Sequence, residues 1–345
     1  MIEAMRSRAL GKVPRALETH EPVRLEGTMI KLSSTCLAAA GLVLAVGGTV
    51  LAESPIVKPV YIFAHAGGAR DYAPDNSMPT MDYAMTLGVT GIEVDMRITK
   101  DGHIVLIHDD LINVGDPQAP VLHWAGGGAV AAGSKISALT LQEVKRLRYK
   151  GQVDGRPQEL RIVPADEAIA KFKERTNFLL DVKSVPAQDV LQLIARHDIA
   201  ERSVVLALDL DYLREVRAAD PRISLCYFTP MPEDPGKARE LVEEVAGVGV
   251  EMLASPEKGA VSRMTEAKVR LCHEYGITAR PSGNMSSPNN QSILEGFFKR
   301  GMDGMLPVRP ETALEAVKAV LGTEYLPQEN QTIYDLLHPA DAQSN

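Results

Sequence analysis

The chain is 345 residues long, with 37 Lys and Arg residues against 45 Asp and Glu and a formal net charge of −8. An acidic chain without a basic run, or a basic stretch interleaved with aromatic residues, does not match a nucleic-acid-binding protein, so that class is excluded. The chain has no CxxC pair and no HExxH motif, which excludes the common zinc sites. Cys226 and Cys272 each lie in an apolar segment, where we expect buried thiols rather than a disulfide.

The first 52 residues have the pattern of a secretory signal. Lys31 precedes an apolar run over 36–46, and the small-residue part of the pattern ends at Ala52. The alternative is a membrane anchor, but the run is short and glycine-rich for a bilayer span. We therefore predict a signal peptide within 1–52, with residues 1–28 as an extension upstream of the true start.

Removal of that signal would leave one domain over residues 53–345. We expect this product to be exported, either periplasmic or secreted, with no stable membrane span once the signal is gone. No residue pattern indicates an oligomeric state.

The first predicted strand of this domain covers residues 60–64 and ends at His65. The histidine is followed by Ala66 and two glycines, which allow a ligand to approach the backbone closely. A histidine at the carboxyl end of a strand, before such glycines, is typical of a catalytic residue. A short helix is predicted next, over 80–87.

The second predicted strand covers residues 91–98, where apolar and polar residues alternate with the period of a strand. Glu93 and Asp95 therefore point the same way. A turn follows, and the chain returns antiparallel as a hairpin strand over 103–108, because a parallel return would need a long crossover. Counting back from the turn pairs Glu93 with His108, so the hairpin brings a second histidine to the carboxylates.

Residues 111–137 predict a long loop, which is either a mobile lid or padding. We favour the lid because the segment begins next to His108. After it, a helix with a capping box is predicted over 140–147, and another helix over 166–175. A strand over 177–183 places Asp181 and Lys183 on one face, near its end.

The rest of the chain alternates strand and helix. Strands are predicted over 204–208, 223–228, 249–254, 277–280 and 302–306, and helices over 211–219, 235–245, 265–275 and 310–320. Without the hairpin strand, eight strands remain, interleaved with helices. This alternation predicts an α/β fold, a (β/α)8 TIM barrel with a hairpin and loop insertion after the second strand, rather than a doubly wound sheet.

Glu93, Asp95 and Asp181 would meet at the carboxyl ends of the second and third barrel strands. Carboxylate oxygens are the ligands that Mg²⁺ and Ca²⁺ select, and three of them leave coordination positions open for substrate oxygens. The alternative is an ordinary polar strand face. Because Asp181 and the two histidines are expected nearby, we predict a divalent cation site.

His65 and His108 predict a general acid and base, since histidine gains and loses protons near neutral pH. The alternative for each is a hydrogen-bonded core residue. Lys183 would either bind a phosphate oxygen or pair with the carboxylates. Arg70 and Arg97 are further candidates for phosphate binding. So is Arg280, although each arginine alone is more typical of a structural charge.

Several motifs, in this order, resemble those of the glycerophosphodiester phosphodiesterase family. They are His65-Ala66-Gly67-Gly68, Pro74-Asp75-Asn76-Ser77, Gly91-Ile92-Glu93-Val94-Asp95, Thr99-Lys100-Asp101-Gly102, Val105-Leu106-Ile107-His108-Asp109 and Asp181-Val182-Lys183. The resemblance implies a TIM barrel with a cation on Glu93, Asp95 and Asp181. It also implies His65 and His108 as the acid and base, with Lys183 at the phosphate.

The chain departs from that family at several positions. Ala66 stands where the family has an arginine, so one phosphate contact is missing unless Arg70 or Arg97 replaces it. The sequence Asp181-Val182-Lys183 resembles the related sphingomyelinase D and phospholipase D toxins. The segment 279–282 lacks the family's Trp-Thr-Val-Asn.

The resemblance implies metal-dependent hydrolysis of a small-molecule glycerophosphodiester to an alcohol and glycerol 3-phosphate. One alternative is a phospholipase D-like phosphodiesterase that leaves a cyclic phosphate. A second is a non-catalytic barrel that binds phosphate or a polyol, which the missing arginine and tryptophan leave open.

Overall fold

A computed structural model of the protein describes residues 60–115, 120–256, 263–282, 291–328 and 330–339. The predicted signal over 1–52 and the predicted start of the domain at residue 53 lie outside these residues. Within them, no helix combines the length and the apolar character that crossing a bilayer requires.

Thirteen strands occur in the described part of the chain. They are β1 (Tyr61–Ala64), β2 (Gly91–Ile98), β3 (Ile104–Leu106), β4 (Leu122–Trp124), β5 (Leu147–Val153), β6 (Arg156–Leu160), β7 (Val163–Pro164), β8 (Asn177–Val182), β9 (Ser203–Ala207), β10 (Ser224–Phe228), β11 (Met252–Pro256), β12 (Thr278–Ser282) and β13 (Gly304–Met305).

The described residues also form ten α-helices. They are α1 (Met78–Ala84), α2 (Leu141–Val144), α3 (Ala165–Phe172), α4 (Ala187–His197), α5 (Leu210–Ala219), α6 (Pro235–Val248), α7 (Glu266–Glu274), α8 (Gln291–Lys299), α9 (Pro310–Val320) and α10 (Ile333–Leu337). Of these, α4, α8 and α10 were not predicted. Helix α8 contains Gly296, a residue of low helix propensity, and α10 spans barely more than one turn.

Eight strands form a parallel barrel, which confirms the predicted (β/α)8 fold. Over the described residues their order is β13-β1-β2-β8-β9-β10-β11-β12. The two ends of this series are joined where the backbone N–H of Asp303 donates to the carbonyl of Ala279, at 2.9 Å. The carboxyl ends of all eight strands therefore open on the same side.

Alternation along the strands divides the apolar core into an inner and an outer layer. On β8, Leu179 packs inside the barrel with Tyr61 and Phe63, whereas Phe178 and Leu180 pack outward with the helices. This is the side-chain period of a strand that is buried on both faces. The thiols of Cys226 and Cys272 are both buried, as predicted.

The hairpin after β2 is present, but the predicted register was one residue out. Ile98 pairs with Ile104 and Met96 with Leu106. The turn closes at Thr99, whose N–H donates to the carbonyl of His103 at 2.8 Å and whose Oγ1 accepts from the N–H of His103 at 2.9 Å. His103 is thus part of the turn, and His108 follows the short strand β3 instead of pairing with Glu93.

A three-stranded antiparallel sheet of β4, β5 and β6 was missed. The capping box at Thr140 is confirmed, but the predicted helix over 140–147 ends early, and β5 begins at Leu147. The alternating burial of β5 depends on pairing with β4 and β6, which the local sequence does not specify. This sheet has its own apolar core, and whether the segment 111–137 moves as a lid stays a prediction.

Helix α10 closes the amino-terminal end of the barrel. Ile333 and Leu336 pack into the inner apolar layer. Asn177, which is buried, holds this segment: its Nδ2 donates to the carbonyls of Thr90 (2.8 Å) and Gln331 (3.0 Å), and its Oδ1 accepts from the N–H of Ile333 at 2.9 Å. One side chain therefore joins two barrel strands to the carboxyl-terminal helix.

Asn177→Ala should destabilise the protein by about 3 kcal/mol, because it leaves buried backbone groups without partners. Urea unfolding followed by circular dichroism measures the change. Gln152→Ala, at an exposed position of β5, is the control and should change the midpoint little. Equal midpoints for the two variants would show that Asn177 does not hold the helix.

Candidate active site

A cavity of about 460 Å³ lies at the carboxyl ends of the barrel strands. It is lined on one side by charged and polar residues, namely His65, Arg70, Asp75, Asn76, Glu93, Asp95, His108, Asp109, Asp181, Lys183 and Ser282. The remaining lining residues are apolar. The cavity therefore contains most of the predicted site residues.

The register of two neighbouring parallel strands brings the three predicted carboxylates together. Asp95 on β2 lies opposite Asp181 on β8, and Glu93 lies two residues earlier on the same face of β2. One oxygen from each of the three carboxylates lies within 4.8 Å of the other two. Glu93 and Asp95 are almost completely buried, at 1% and 2% exposure.

Lys183 lies against this triad. Its Nζ is 2.5 Å from Oδ2 of Asp181 and 3.0 Å from Oδ1 of Asp95. Burial alone would lower the pKa of Lys183, but the two carboxylates outweigh burial and raise that pKa above its ordinary value. The predicted ion pair is therefore present, and a contact with phosphate stays a prediction.

Burial and mutual repulsion separate the pKa values of the carboxyl groups. The pKa of Glu93 is raised well above its ordinary value by burial, and then by the charges of Asp95 and Asp181. Burial also raises the pKa of Asp181, against the opposing effect of Lys183. For Asp95, burial is outweighed by Lys183 and by His108, so its pKa is lowered.

The triad fits a hard divalent cation. One lysine ammonium does not balance three carboxylates, and carboxylate oxygens are the ligands that Mg²⁺ and Ca²⁺ prefer. Oδ1 of Asp181 is also buried and, among the described residues, has no hydrogen-bond partner, so it is suited to a cation. The residues present therefore fit the predicted metal, whose identity they leave open.

His65 begins a 3₁₀ turn that follows β1 directly. Its pKa is lowered from the ordinary value because burial disfavours the imidazolium, an effect that Asp95 opposes. The next residue, Ala66, has φ +48° and donates its N–H to Oε2 of Glu93 at 2.5 Å. Glycine is required at Gly68, since a Cβ there would lie 2.3 Å from the carbonyl oxygen of Thr80.

Asn76 is a site residue whose role the sequence analysis did not identify. It is 4% exposed, its Nδ2 donates to Oδ2 of Asp95 at 2.8 Å, and its Oδ1 accepts from the N–H of Asp95 at 3.1 Å. Its own N–H donates to the carbonyl of Ala66 at 2.6 Å. Asn76 therefore fixes the central carboxylate. The motif over residues 74–77 was the sequence signal that could have identified Asn76 as a site residue.

In contrast to the buried Asn76, His108 is exposed to solvent, with 61% of its side chain accessible. Its Nδ1 is 2.8 Å from Oδ1 of Asp109, which orients the ring. Arg97 does not line the cavity; its Nε and Nη2 donate to the carbonyl of His108 at 2.9 and 2.7 Å. Arg97 thus supports the segment that carries the histidine, and its predicted contact with phosphate remains without geometric support.

The two other candidate arginines lie in different places. Arg70 lines the cavity and pairs with Asp75, with Nη2 at 2.5 Å and Nε at 3.1 Å from Oδ2. Arg280 is fully buried inside the barrel, where its Nη2 lies 3.6 Å from Sγ of Cys226. Arg70 is therefore the arginine placed to meet an anionic ligand, and Arg280 is not.

Taken together, these residues indicate that the protein is an enzyme. A (β/α)8 barrel that gathers a carboxylate triad, a lysine and two histidines at the carboxyl ends of its strands has the parts of an enzyme for reactions at an anionic centre. A family model described as the Glycerophosphoryl diester phosphodiesterase family matches residues 65–280, and the chain belongs to that family. It is accordingly a phosphoric diester hydrolase.

Relatives resemble the chain in sequence, and solved structures share its fold. The chain is 22% identical over 267 residues to Glycerophosphodiester phosphodiesterase of Caldanaerobacter subterraneus subsp. tengcongensis, covering 74% of this chain and 97% of that one. It superposes on a Glycerophosphoryl diester phosphodiesterase from Parabacteroides distasonis with a TM-score of 0.61 and 22% identity, over 78% and 91% of the two chains. Oleispira antarctica phosphodiesterase OLEI02445 gives a TM-score of 0.58 and 18% identity, over 75% and 97%.

Asp181→Asn should abolish or weaken divalent cation binding by at least about tenfold, because it removes one ligand charge without changing the shape of the side chain. Calcium and magnesium titrations, by calorimetry and by the shift in Tm, measure the loss. Asp211→Asn is the control, since Asp211 is 84% exposed on α5 and remote from the triad in sequence. Unchanged binding by Asp181→Asn would contradict the assignment.

Proposed function

We propose that this protein hydrolyses glycerophosphodiesters to an alcohol and glycerol 3-phosphate, with a divalent cation held by Glu93, Asp95 and Asp181. The observation that carries the proposal is the convergence of this triad with Lys183, His65 and His108 on one cavity, in a chain of this family. The Oleispira antarctica phosphodiesterase was solved in complex with the product sn-glycerol-3-phosphate, which supports the same product here.

The two histidines divide the proton transfers. His65 is half-buried, and burial lowers its pKa, which favours the neutral imidazole, the form that accepts a proton from the attacking water. His108 is oriented by Asp109 and is exposed to solvent, which suits the group that returns a proton to the departing alcohol. The phosphorus–oxygen bond to the alcohol breaks as the water oxygen bonds to phosphorus.

Lys183 and Arg70 would orient the phosphate. Both side chains line the cavity and both are cationic, and each is held in place by a carboxylate partner, Asp181 or Asp75. Fixed cations aimed at a developing negative charge stabilise it without reorganisation during the reaction. A divalent cation bound to the triad would supply further neutralisation of the non-bridging phosphate oxygens.

We also propose that the enzyme is exported and acts in the periplasm or outside the cell. The support is the signal pattern within residues 1–52. In that view residues 53–345 are the mature chain, and glycerophosphodiesters released from lipids would be available as substrate.

Release of glycerol 3-phosphate from glycerophosphocholine should be abolished by EDTA and restored by Ca²⁺ or Mg²⁺, because the triad must be neutralised for the phosphate to bind. Phosphorus NMR of the products distinguishes the monoester from a cyclic phosphate. A cyclic phosphate as the end product would show that the enzyme transfers the phosphoryl group to an internal hydroxyl of the substrate and does not hydrolyse the diester. Turnover that is insensitive to EDTA would refute the metal dependence.

His65→Gln and His108→Gln should each lower kcat by about 100-fold or more, the usual contribution of a positioned acid or base. Steady-state rates on glycerophosphocholine measure the loss, and thermal unfolding verifies that the variants remain folded. His103→Gln is the matched control, because His103 is an exposed histidine on the neighbouring hairpin turn. Full activity in both site variants would contradict the assignment of His65 and His108 as acid and base.

A further inference from the structure

The apolar side of the cavity is larger than hydrolysis of a small polar diester requires. Of the twenty-four lining residues, thirteen are apolar, so the polar groups assigned to catalysis occupy less than half of the wall. The glycerol and the head group of glycerophosphocholine are polar and gain little from such a surface. The apolar walls therefore indicate a different chemical group in the substrate.

One wall comes from the insertion that follows β2. We call it the insertion wall, and its members are Ile107, Leu111, Ile112, Leu122, Tyr149 and Ile162. Most of these residues belong to the separate apolar core built on the β4-β5-β6 sheet. The insertion is thus more than a connection, because it presents one face of its own core to the cavity that contains the metal ligands.

A second wall comes from the barrel itself. We call it the barrel wall, and its members are Leu206, Leu208, Phe228, Leu306 and Val308. They lie at or just beyond the carboxyl ends of β9, β10 and β13. Because Asp181 and Lys183 line the same cavity, this apolar surface is continuous with the polar end of the site.

The cavity mouth is bordered by large apolar side chains that are exposed to solvent. Among the described residues, five large hydrophobic side chains are exposed, and two of them, Leu111 at 43% and Leu208 at 62%, line this cavity, one from each wall. Val114 and Val121, at 49% and 74%, belong to the same segment as Leu111. Exposed apolar side chains concentrated at a cavity mouth indicate an apolar ligand.

We propose that the substrate is a monoacylated glycerophosphodiester, whose single acyl chain lies between the insertion wall and the barrel wall while its phosphate meets the triad and Lys183. This inference rests on the proposed hydrolysis and specifies its substrate class. Water attacks phosphorus, the bond from phosphorus to the oxygen of the head-group alcohol breaks, and that oxygen takes a proton. The products are the free head-group alcohol and an acylglycerol phosphate.

The test is a substrate series that varies only the chain. Glycerophosphocholine is compared with 1-acyl derivatives whose chains have about four, eight and twelve carbons, each used below its aggregation concentration so that monomers are measured. A buried methylene is worth about fourfold, so kcat/KM should rise with chain length by on the order of 100-fold or more in total.

A matched pair of variants locates the effect. Leu208→Ser should lower the ratio of kcat/KM for the longest acyl diester to that for glycerophosphocholine by about fivefold or more, since it removes apolar surface from the barrel wall. Ile293→Ser should leave that ratio unchanged, because Ile293 is an equally large, exposed (40%) residue that does not line the cavity. The double variant Leu111→Ser and Leu208→Ser, which alters both walls, should lower the ratio further.

The outcomes separate this inference from the proposed function. Turnover of glycerophosphocholine with a flat or falling chain-length series would overturn the acyl-chain inference and leave the hydrolysis intact. A rising series that Leu208→Ser and the double variant do not change would also overturn it, because the chain would then lie elsewhere. Absence of turnover for every diester, with Ca²⁺ and Mg²⁺ present, would reject the proposed hydrolysis itself.

Discussion

The close approach of three carboxylates at the buried end of two neighbouring strands is the constraint on which the site depends. Asp95 and Asp181 are opposite one another in the β2–β8 register, so neither can move away without shifting a strand. Burial, and then the charges of Asp95 and Asp181, raise the pKa of Glu93, and the ammonium of Lys183 offsets only part of the negative charge. A divalent cation would complete the neutralisation of the carboxylates. The strand register that builds the barrel therefore also creates the negative charge that a cation would bind.

The polypeptide around the triad is arranged to hold these acids in place. The turn after His65 aims the N–H of Ala66 at Glu93, and Asn76 makes two hydrogen bonds with Asp95. The family has an arginine where this chain has Ala66, yet the backbone at that position still supports a carboxylate. Lys183 and Arg70 are the cationic side chains that line the cavity, and Asp75 holds Arg70 by a bidentate ion pair.

The barrel and the insertion contribute different chemistry to one cavity. The barrel strands supply the carboxylates and the lysine on rigid, fully hydrogen-bonded backbone, and that rigidity suits groups that must stay close to one another. The insertion supplies His108 and an apolar wall built on a separate core. Changes in the insertion can therefore alter the apolar lining of the cavity with little effect on the carboxylate triad, an arrangement that barrel folds permit.

The sequence by itself determined the barrel and most of the polar site. Alternation over 91–98 placed Glu93 and Asp95 on one face, and the sequence from 177 onward predicted the remaining barrel strands in their order, because both signals are local periodicities. The ordered motifs indicated the family. Burial of two thiols without a disulfide also followed from local composition.

Only the tertiary structure decided the features that depend on contacts between distant segments. The pairing of β4, β5 and β6 and the closure of the barrel by α10 are not encoded in a local period. Thr99 shifted the hairpin by one residue through its bonds to His103, and Arg97 and Arg280 proved to lie outside the cavity lining. Asn76 supports Asp95, and the two apolar walls line one cavity, because folding brought together side chains that lie far apart along the chain.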